Sequence, residues 1–255
     1  MPELPSPAVS FGAAAQDYDR YRMGPPERVL DWLLPADCPS VLDLGAGTGL
    51  LTRLLAERVG DLLAVEPDPR MRQVLTGACP RAAVLDGTAE RIPLPDARVA
   101  AVTVSAAWHW MDPAAALPEI ARVLTPGGTL GILYTRRDRR VAWLDRLDAY
   151  VHEEMGSDDR IGHLIRRMYD RPWLPAGVPF TRPDVHAVTW TAPLTVEEAV
   201  AMFATYSGFI ALPESRKREL ADGIEAKVRE TAEIRDGLVM MPMVCHCWRT
   251  RLTAS

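Results

Sequence analysis

Gly45, Gly47 and Gly49 form a GxGxG turn two residues after Asp43, and Glu66 follows about 20 residues on. Glycines at such a turn admit positive φ and let the backbone approach a ligand closely. A dinucleotide turn more often reads GxGxxG, with a pyrophosphate held at the helix N-terminus. Asp43 ends the strand before the turn, where its charge opposes a pyrophosphate but helps to receive a cation such as an amino group. Glu66 ends the next strand, where a carboxylate can accept hydrogen bonds from both hydroxyls of a ribose. The set suits a ligand with a ribose at one end and a cationic amino acid at the other. A glycine turn that merely permits tight helix packing is the plainer alternative.

A second group of reactive side chains follows the fourth strand, at the sheet edge where α/β folds bind ligands. In Trp108-His109-Trp110, His109 is the candidate catalytic residue, able to take a proton from an acceptor or to orient it. Trp108, Trp110, Tyr134 and Arg136 are candidate acceptor contacts. Against this stands a histidine bonded to the backbone with both tryptophans in the core.

These residues need elements that hold them at one edge. Residues 40–44 are a short apolar run closed by the glycine turn, after which Leu50, Leu51, Leu54 and Leu55 recur at helical spacing. The pattern predicts strands over 61–65, 81–85, 99–104 and 129–134, the last entered through a turn at 125–128. Helices are expected over 28–34, through Met71 and Leu75, and over 113–124. Such alternation implies a mainly parallel sheet covered on both faces. After Arg136 the pattern changes to a helix over 141–154, an irregular stretch to 184, a strand over 185–191 and a helix near 195–204. Leu220, Ile224 and Val228 mark the apolar face of a longer helix that Gly237 is expected to stop. Residues 238–252 read as a closing strand.

The 255 residues are 48% apolar and 25% charged, which excludes disordered and fibrous classes. A formal net charge of -5 argues against nucleic acid or an anionic membrane as partner and leaves a small molecule. Cys38, Cys79, Cys245 and Cys247 are too sparse for a disulfide framework and suggest a reducing compartment. The longest mostly apolar run, 99–108, is far too short to span a bilayer. The first residues carry prolines and an acid where a secretory signal needs a basic end and an apolar block, so a cytoplasmic location is expected. Cys245-His246-Cys247 invites a metal reading, yet strand neighbours point to opposite faces, so the thiols and the imidazole do not converge and no metal is expected. The arginine-rich run 135–140 could hold an acidic substrate or form a solvated face.

VLDLGAGTG at 41–49, EPDPRMR at 66–72 and DGTAERIPLPD at 86–96 resemble the first motif, the second motif and the adenine-side loop of the class I S-adenosylmethionine-dependent methyltransferases. Within them the chain is similar to the trans-aconitate methyltransferase-like group of small-molecule enzymes. AAWHWMD at 106–112 and RVLTPGG at 122–128 resemble later motifs, and FGAAAQDYDRYR at 11–22 resembles the group's N-terminal lid. The resemblance covers most of the chain. It implies an α/β fold: a Rossmann-like, seven-stranded, mainly parallel sheet with its last strand antiparallel and helices on both faces, here with a helical cap. It also implies S-adenosylmethionine as cofactor, contacted by Gly45, Ala46, Gly47, Glu66, Met71, Thr88, Ala89 and Glu90. Asp43, Thr48, Pro67, Asp86 and Ser105 join that candidate set. Met71 could lie against the adenine or serve the core, and Asp86 and Glu90 are alternative acceptors for the adenine amino group. In the lid, Tyr18 could face the sulfonium and Arg22 a carboxylate on the cofactor side, while Tyr21 could face the acceptor. The arginine run departs from the family pattern.

The expected organisation is one domain over 1–255, with a lid at 1–27, a cofactor-binding core at 28–135, a cap at 136–235 that includes one sheet strand, and a closing strand at 236–255. The expected activity is methyl transfer from S-adenosylmethionine to an oxygen, nitrogen or carbon of a small molecule. A cofactor-binding protein of the same fold without methyl transfer, a cyclase or a regulator, is the alternative. A nicotinamide oxidoreductase would need a phosphate-friendly turn, which Asp43 opposes.

Overall fold

The computed structural model describes residues 19–156, 174–175, 177–205 and 207–253. Strands β1 (Ser40–Leu44), β2 (Asp61–Val65), β3 (Ala83–Leu85), β4 (Val99–Ser105) and β5 (Leu124–Arg137) alternate with helices. These are α1 (Val29–Leu33), α2 (Leu50–Ala56), α3 (Pro69–Ala78) and α4 (Pro113–Val123). Beyond β5 come α5 (Ala142–Met155), β6 (Asp184–Leu194), α6 (Val196–Ala204), α7 (Ser207–Ile210), α8 (Glu214–Thr231), β7 (Ile234–Arg235) and β8 (Leu238–Arg251). The strand order is β3-β2-β1-β4-β5-β8-β6, with β7 paired to β8 off that path.

The β1–β2, β1–β4, β2–β3 and β4–β5 pairings are parallel. Strand β8 runs the other way: Leu252 N–H donates to Gly128 O at one end of β5, and Asp138 N–H donates to Pro242 O at the other. The fold is therefore a Rossmann-like mixed α/β sheet in which β8 runs antiparallel to β5. It holds eight strands among the described residues because two-residue β7 forms a hairpin with β8. Asp236 and Gly237 make that hairpin turn, so Gly237 is not the stop of α8, which already ends at Thr231. The expected turn at 125–128 instead lies inside β5, as an irregularity where Val99 pairs with Leu124 and Ala101 with Thr129.

Local chemistry sets the helix starts. Asp68 and Asp112 cap α3 and α4 by accepting the N–H of Arg70 and Ala114, and each is followed by a proline at the first helical position. Thr195 and Glu198 form a reciprocal capping box at the start of α6.

The chain divides into two compact units. One runs from Gly24 through Thr135 and includes the tail from Cys245. Its core gathers Leu42, Leu44, Val102, Val104, Leu117 and Ile132, all buried. The other unit includes residues 136–156 and 188–244 with Met23. There Leu220, Ile224 and Val228 recur four residues apart on α8, one buried stripe of a helix, in a core with Leu144, Leu147, Val151 and Phe203.

Candidate cofactor and acceptor site

The glycine turn leaves the end of β1 and is tied to the end of β2. The N–H groups of Gly45 and Ala46 donate to Val65 O at 2.8 and 3.1 Å, and Gly47 N–H donates to Glu66 Oε2 at 2.9 Å. Gly45 (φ +69°) and Gly47 (φ +58°) occupy the left-handed region, where a side chain is strained. A Cβ on Gly45 would stand 2.8 Å from the Ala107 Cβ, whereas one on Gly47 would meet nothing within 4 Å. The turn is therefore packed against the 106–112 segment on one side and open at Gly47. Asp43 is 0% exposed. Its carboxylate accepts the Thr52 hydroxyl at 2.6 Å and lies 3.5 Å from that of Thr103. Burial pushes its pKa up to about 7, against these hydroxyl bonds, and the nearby Glu66 charge adds to the rise. With no accessible surface, the Asp43 carboxylate joins the end of β1 to Thr52 of α2 and Thr103 of β4.

Glu66, 8% exposed, accepts Gly47 N–H on one oxygen and Asp68 N–H on the other, both at 2.9 Å. Burial raises its pKa; these two N–H bonds oppose the rise, as does the Arg72 charge, while Asp68 adds to it. Pro67 is exposed and Met71 buried. Asp86 and Thr88 are exposed in the loop after β3, Ala89 is buried in the core, and Glu90 is half-buried. Both acids have protein partners: Asp86 pairs with Arg72 at 2.9 Å, and Glu90 accepts Asp112 N–H at 2.9 Å. Among the described residues the buried Thr48 hydroxyl has no hydrogen-bond partner.

Beyond β4, where Ser105 is half-buried, Trp108–Trp110 forms one turn of 3-10 helix that sends its side chains to different places. Trp108 is fully buried in the core, so its expected acceptor contact gives way to packing. Trp110 is 38% exposed. Half-buried His109 lies between the Trp110 ring, centroids 4.3 Å apart, and Tyr134 on β5. The buried Tyr134 hydroxyl accepts His109 N–H at 3.1 Å and meets Nδ1 at 3.1 Å.

A family model described as a methyltransferase domain matches residues 42–132. An uncharacterized methyltransferase of Mycobacterium tuberculosis (strain ATCC 25618 / H37Rv) is 42% identical over 246 residues, 96% of either chain. The chain belongs to the class I S-adenosylmethionine-dependent methyltransferases. A methyltransferase-like protein of Schizosaccharomyces pombe is 29% identical over 259 residues, 96% of this chain and 94% of its own. In fold, this methyltransferase is similar to a candidate type II methyltransferase from Anaeromyxobacter dehalogenans, with a TM-score of 0.69, 21% identity, and coverage of 92% of this chain and 100% of that one.

The residues of the methyltransferase fit its cofactor. Gly47 leaves room where any side chain would project, and the Glu66 carboxylate, with one N–H on each oxygen, keeps acceptor capacity for hydroxyl donors. Tyr18 falls outside the described residues. Tyr21, beneath the Arg20 guanidinium at 5.2 Å, belongs with Arg22 and Arg136 to the second unit. The rest of the arginine run is taken up internally. Arg137 makes a buried pair with Asp148, Arg139 pairs with Asp145 at 2.9 Å, and Arg140 pairs with Asp138 at 2.7 Å. The Cys245 and Cys247 thiols share one face of β8, sulfurs 3.7 Å apart, while the His246 ring stacks on Trp248. Among the described residues no helix is long and apolar enough to cross a membrane.

Arg72 is the contact that sequence reasoning missed. Its Nη1 donates to the carbonyls of Glu66 (2.7 Å) and Pro67 (2.8 Å) as well as to Asp86. Its only sequence signal is its place inside EPDPRMR.

Proposed function

We propose that this methyltransferase transfers the methyl group of S-adenosylmethionine to an oxygen, nitrogen or carbon nucleophile of a small molecule, with Glu66 holding the ribose. The 45–47 turn would hold the amino-acid end, and residues 86–90 would border the adenine. The observation that supports this reading is that a Cβ built on Gly45 would stand 2.8 Å from the Ala107 Cβ and 3.1 Å from Met111 Cε, so the 106–112 segment that carries His109 and Trp110 packs against the turn. When bound, the cofactor supplies a methyl group on a sulfonium that is already a good leaving group. Alignment of the acceptor can then provide much of the rate. Trp110 offers an exposed aromatic face to the acceptor, and Nδ1–H donating to the Tyr134 hydroxyl would leave Nε2 as the nitrogen that takes a proton from an acceptor. A net charge of -5 favours a small molecule over nucleic acid.

Incubation with methyl-labelled S-adenosylmethionine and a fractionated metabolite extract tests this. A labelled small-molecule product, diminished for His109→Asn, is expected. Cofactor binding with no labelled product in any fraction would turn the assignment toward a non-transferring protein of the same fold.

A further inference from the structure

We propose that Arg72 is a positioning residue for the cofactor, a clamp that ties the loop after β2 to the loop after β3 and thereby fixes where Glu66 stands relative to residues 86–90. The inference rests on the reading that Glu66 holds the ribose. One guanidinium nitrogen, Nη1, carries two hydrogens and meets three oxygens: Glu66 O at 2.7 Å, Pro67 O at 2.8 Å and Asp86 Oδ1 at 2.9 Å. Arg72 lies in the first turn of α3, whose start is capped by Asp68, so the clamp is anchored to a helix and not to a loose loop. Four-fifths of its side chain is buried, whereas Asp86 is 72% exposed. An exposed ion pair alone contributes little. The two carbonyl bonds are what hold the Glu66–Pro67 backbone, and Asp86 is the tether of the opposite loop rather than an acceptor for adenine.

The clamp also acts on the charge of Glu66. The ionisable groups around that carboxylate are Asp43 from β1, Asp68 beside it and Arg72 from α3, and of these only Arg72 is a cation. Arg70 engages Asp68 at 2.8 Å and Arg72 engages Asp86 at 2.9 Å, so the Arg72 charge is shared between Asp86 and Glu66. Burial raises the Glu66 pKa, the N–H bonds from Asp68 and Gly47 are the larger opposition to that rise, and the Arg72 charge adds to them.

The test uses the full chain and S-adenosylhomocysteine as the probe, with dissociation constants measured by calorimetry across pH and melting temperature recorded alongside. Arg72→Gln should weaken binding about 10-fold, as for a lost supporting bond behind a binding group, at a nearly unchanged melting temperature. The acidic limb of binding should move to higher pH, because Glu66 loses its stabilising cation. Arg72→Lys restores a charge without the planar fork, so it should return the limb toward the wild-type position while recovering only part of the affinity. An Arg72→Gln protein that binds with wild-type affinity and an unmoved limb overturns the proposal. So does an affinity loss that follows a fall in melting temperature with the limb unmoved, since that is simple loosening of the fold. Glu66→Ala, measured in parallel, separates the two readings. If it alone loses affinity, the clamp fails and the ribose assignment stands. If it binds as wild type, the ribose assignment fails and the clamp falls with it.

Discussion

Asp43→Asn should remove a pH-dependent weakness built into the first unit. The carboxyl is wholly buried and its pKa lies at about 7, against roughly 4 for an aspartate in an unfolded chain. At about 1.4 kcal/mol per tenfold change in proton affinity, the difference is worth roughly 4 kcal/mol. Between these two values the folded protein holds a proton that the unfolded chain has already lost, so unfolding releases it. Stability therefore declines as pH rises from about 4 to about 7 and levels off above. Asparagine keeps an oxygen for the Thr52 hydroxyl and can turn its amide toward Thr103, and it does not titrate. Urea unfolding of both proteins at about pH 4.5, 6 and 8 gives the difference directly. Near the acidic end the two should be alike, and the variant should gain up to about 4 kcal/mol relative to wild type by the alkaline end. A constant difference across that range would mean that Asp43 does not change its protonation on unfolding.

Three further outcomes follow. Glu66→Ala should weaken S-adenosylmethionine binding by about 1.5 to 3 kcal/mol in calorimetry, the range for charge-assisted hydrogen bonds lost from one carboxylate; an unchanged constant for a folded variant would reject the ribose assignment. His109→Asn should lower turnover about 100-fold at unchanged cofactor affinity, and the acidic limb of the rate profile should disappear with it if His109 is the base. Near wild-type turnover with the same limb would leave the ring a structural role. In the second unit, Arg137→Ala strips a buried partner from Asp148 and empties the position 3.8 Å over the Phe203 ring, so it should cost about 3 to 5 kcal/mol in urea unfolding. Replacing both members of the pair by apolar residues should recover much of that loss, and a single-variant cost under about 1 kcal/mol would contradict the burial argument.

The turn and Glu66 were legible because they are local: an apolar strand, three glycines at fixed spacing and a helix restrict what the backbone can do. The parallel sheet followed from the same alternation. What the sequence hid depends on three dimensions. Trp108 and Trp110 have identical side chains, and only the 3-10 turn sends one into the core and leaves the other exposed. Arg72 sits in a quoted motif, yet its role exists only because the β2 and β3 loops come together. The pairing of Arg137 and Arg139 with Asp148 and Asp145 joins residues six to eleven positions apart and leaves no mark in the run itself. Gly237 read as a helix stop because a two-residue strand is too short to leave a period in the sequence.

A crystal structure of the full chain with S-adenosylhomocysteine would show whether Glu66 and the 45–47 turn hold the cofactor beside His109. Both ribose hydroxyls should lie within about 3 Å of the Glu66 carboxylate, with the amino-acid end against the turn. A nucleoside bound at another edge of the sheet, with Glu66 bonded only to Gly47 and Asp68, would contradict that placement.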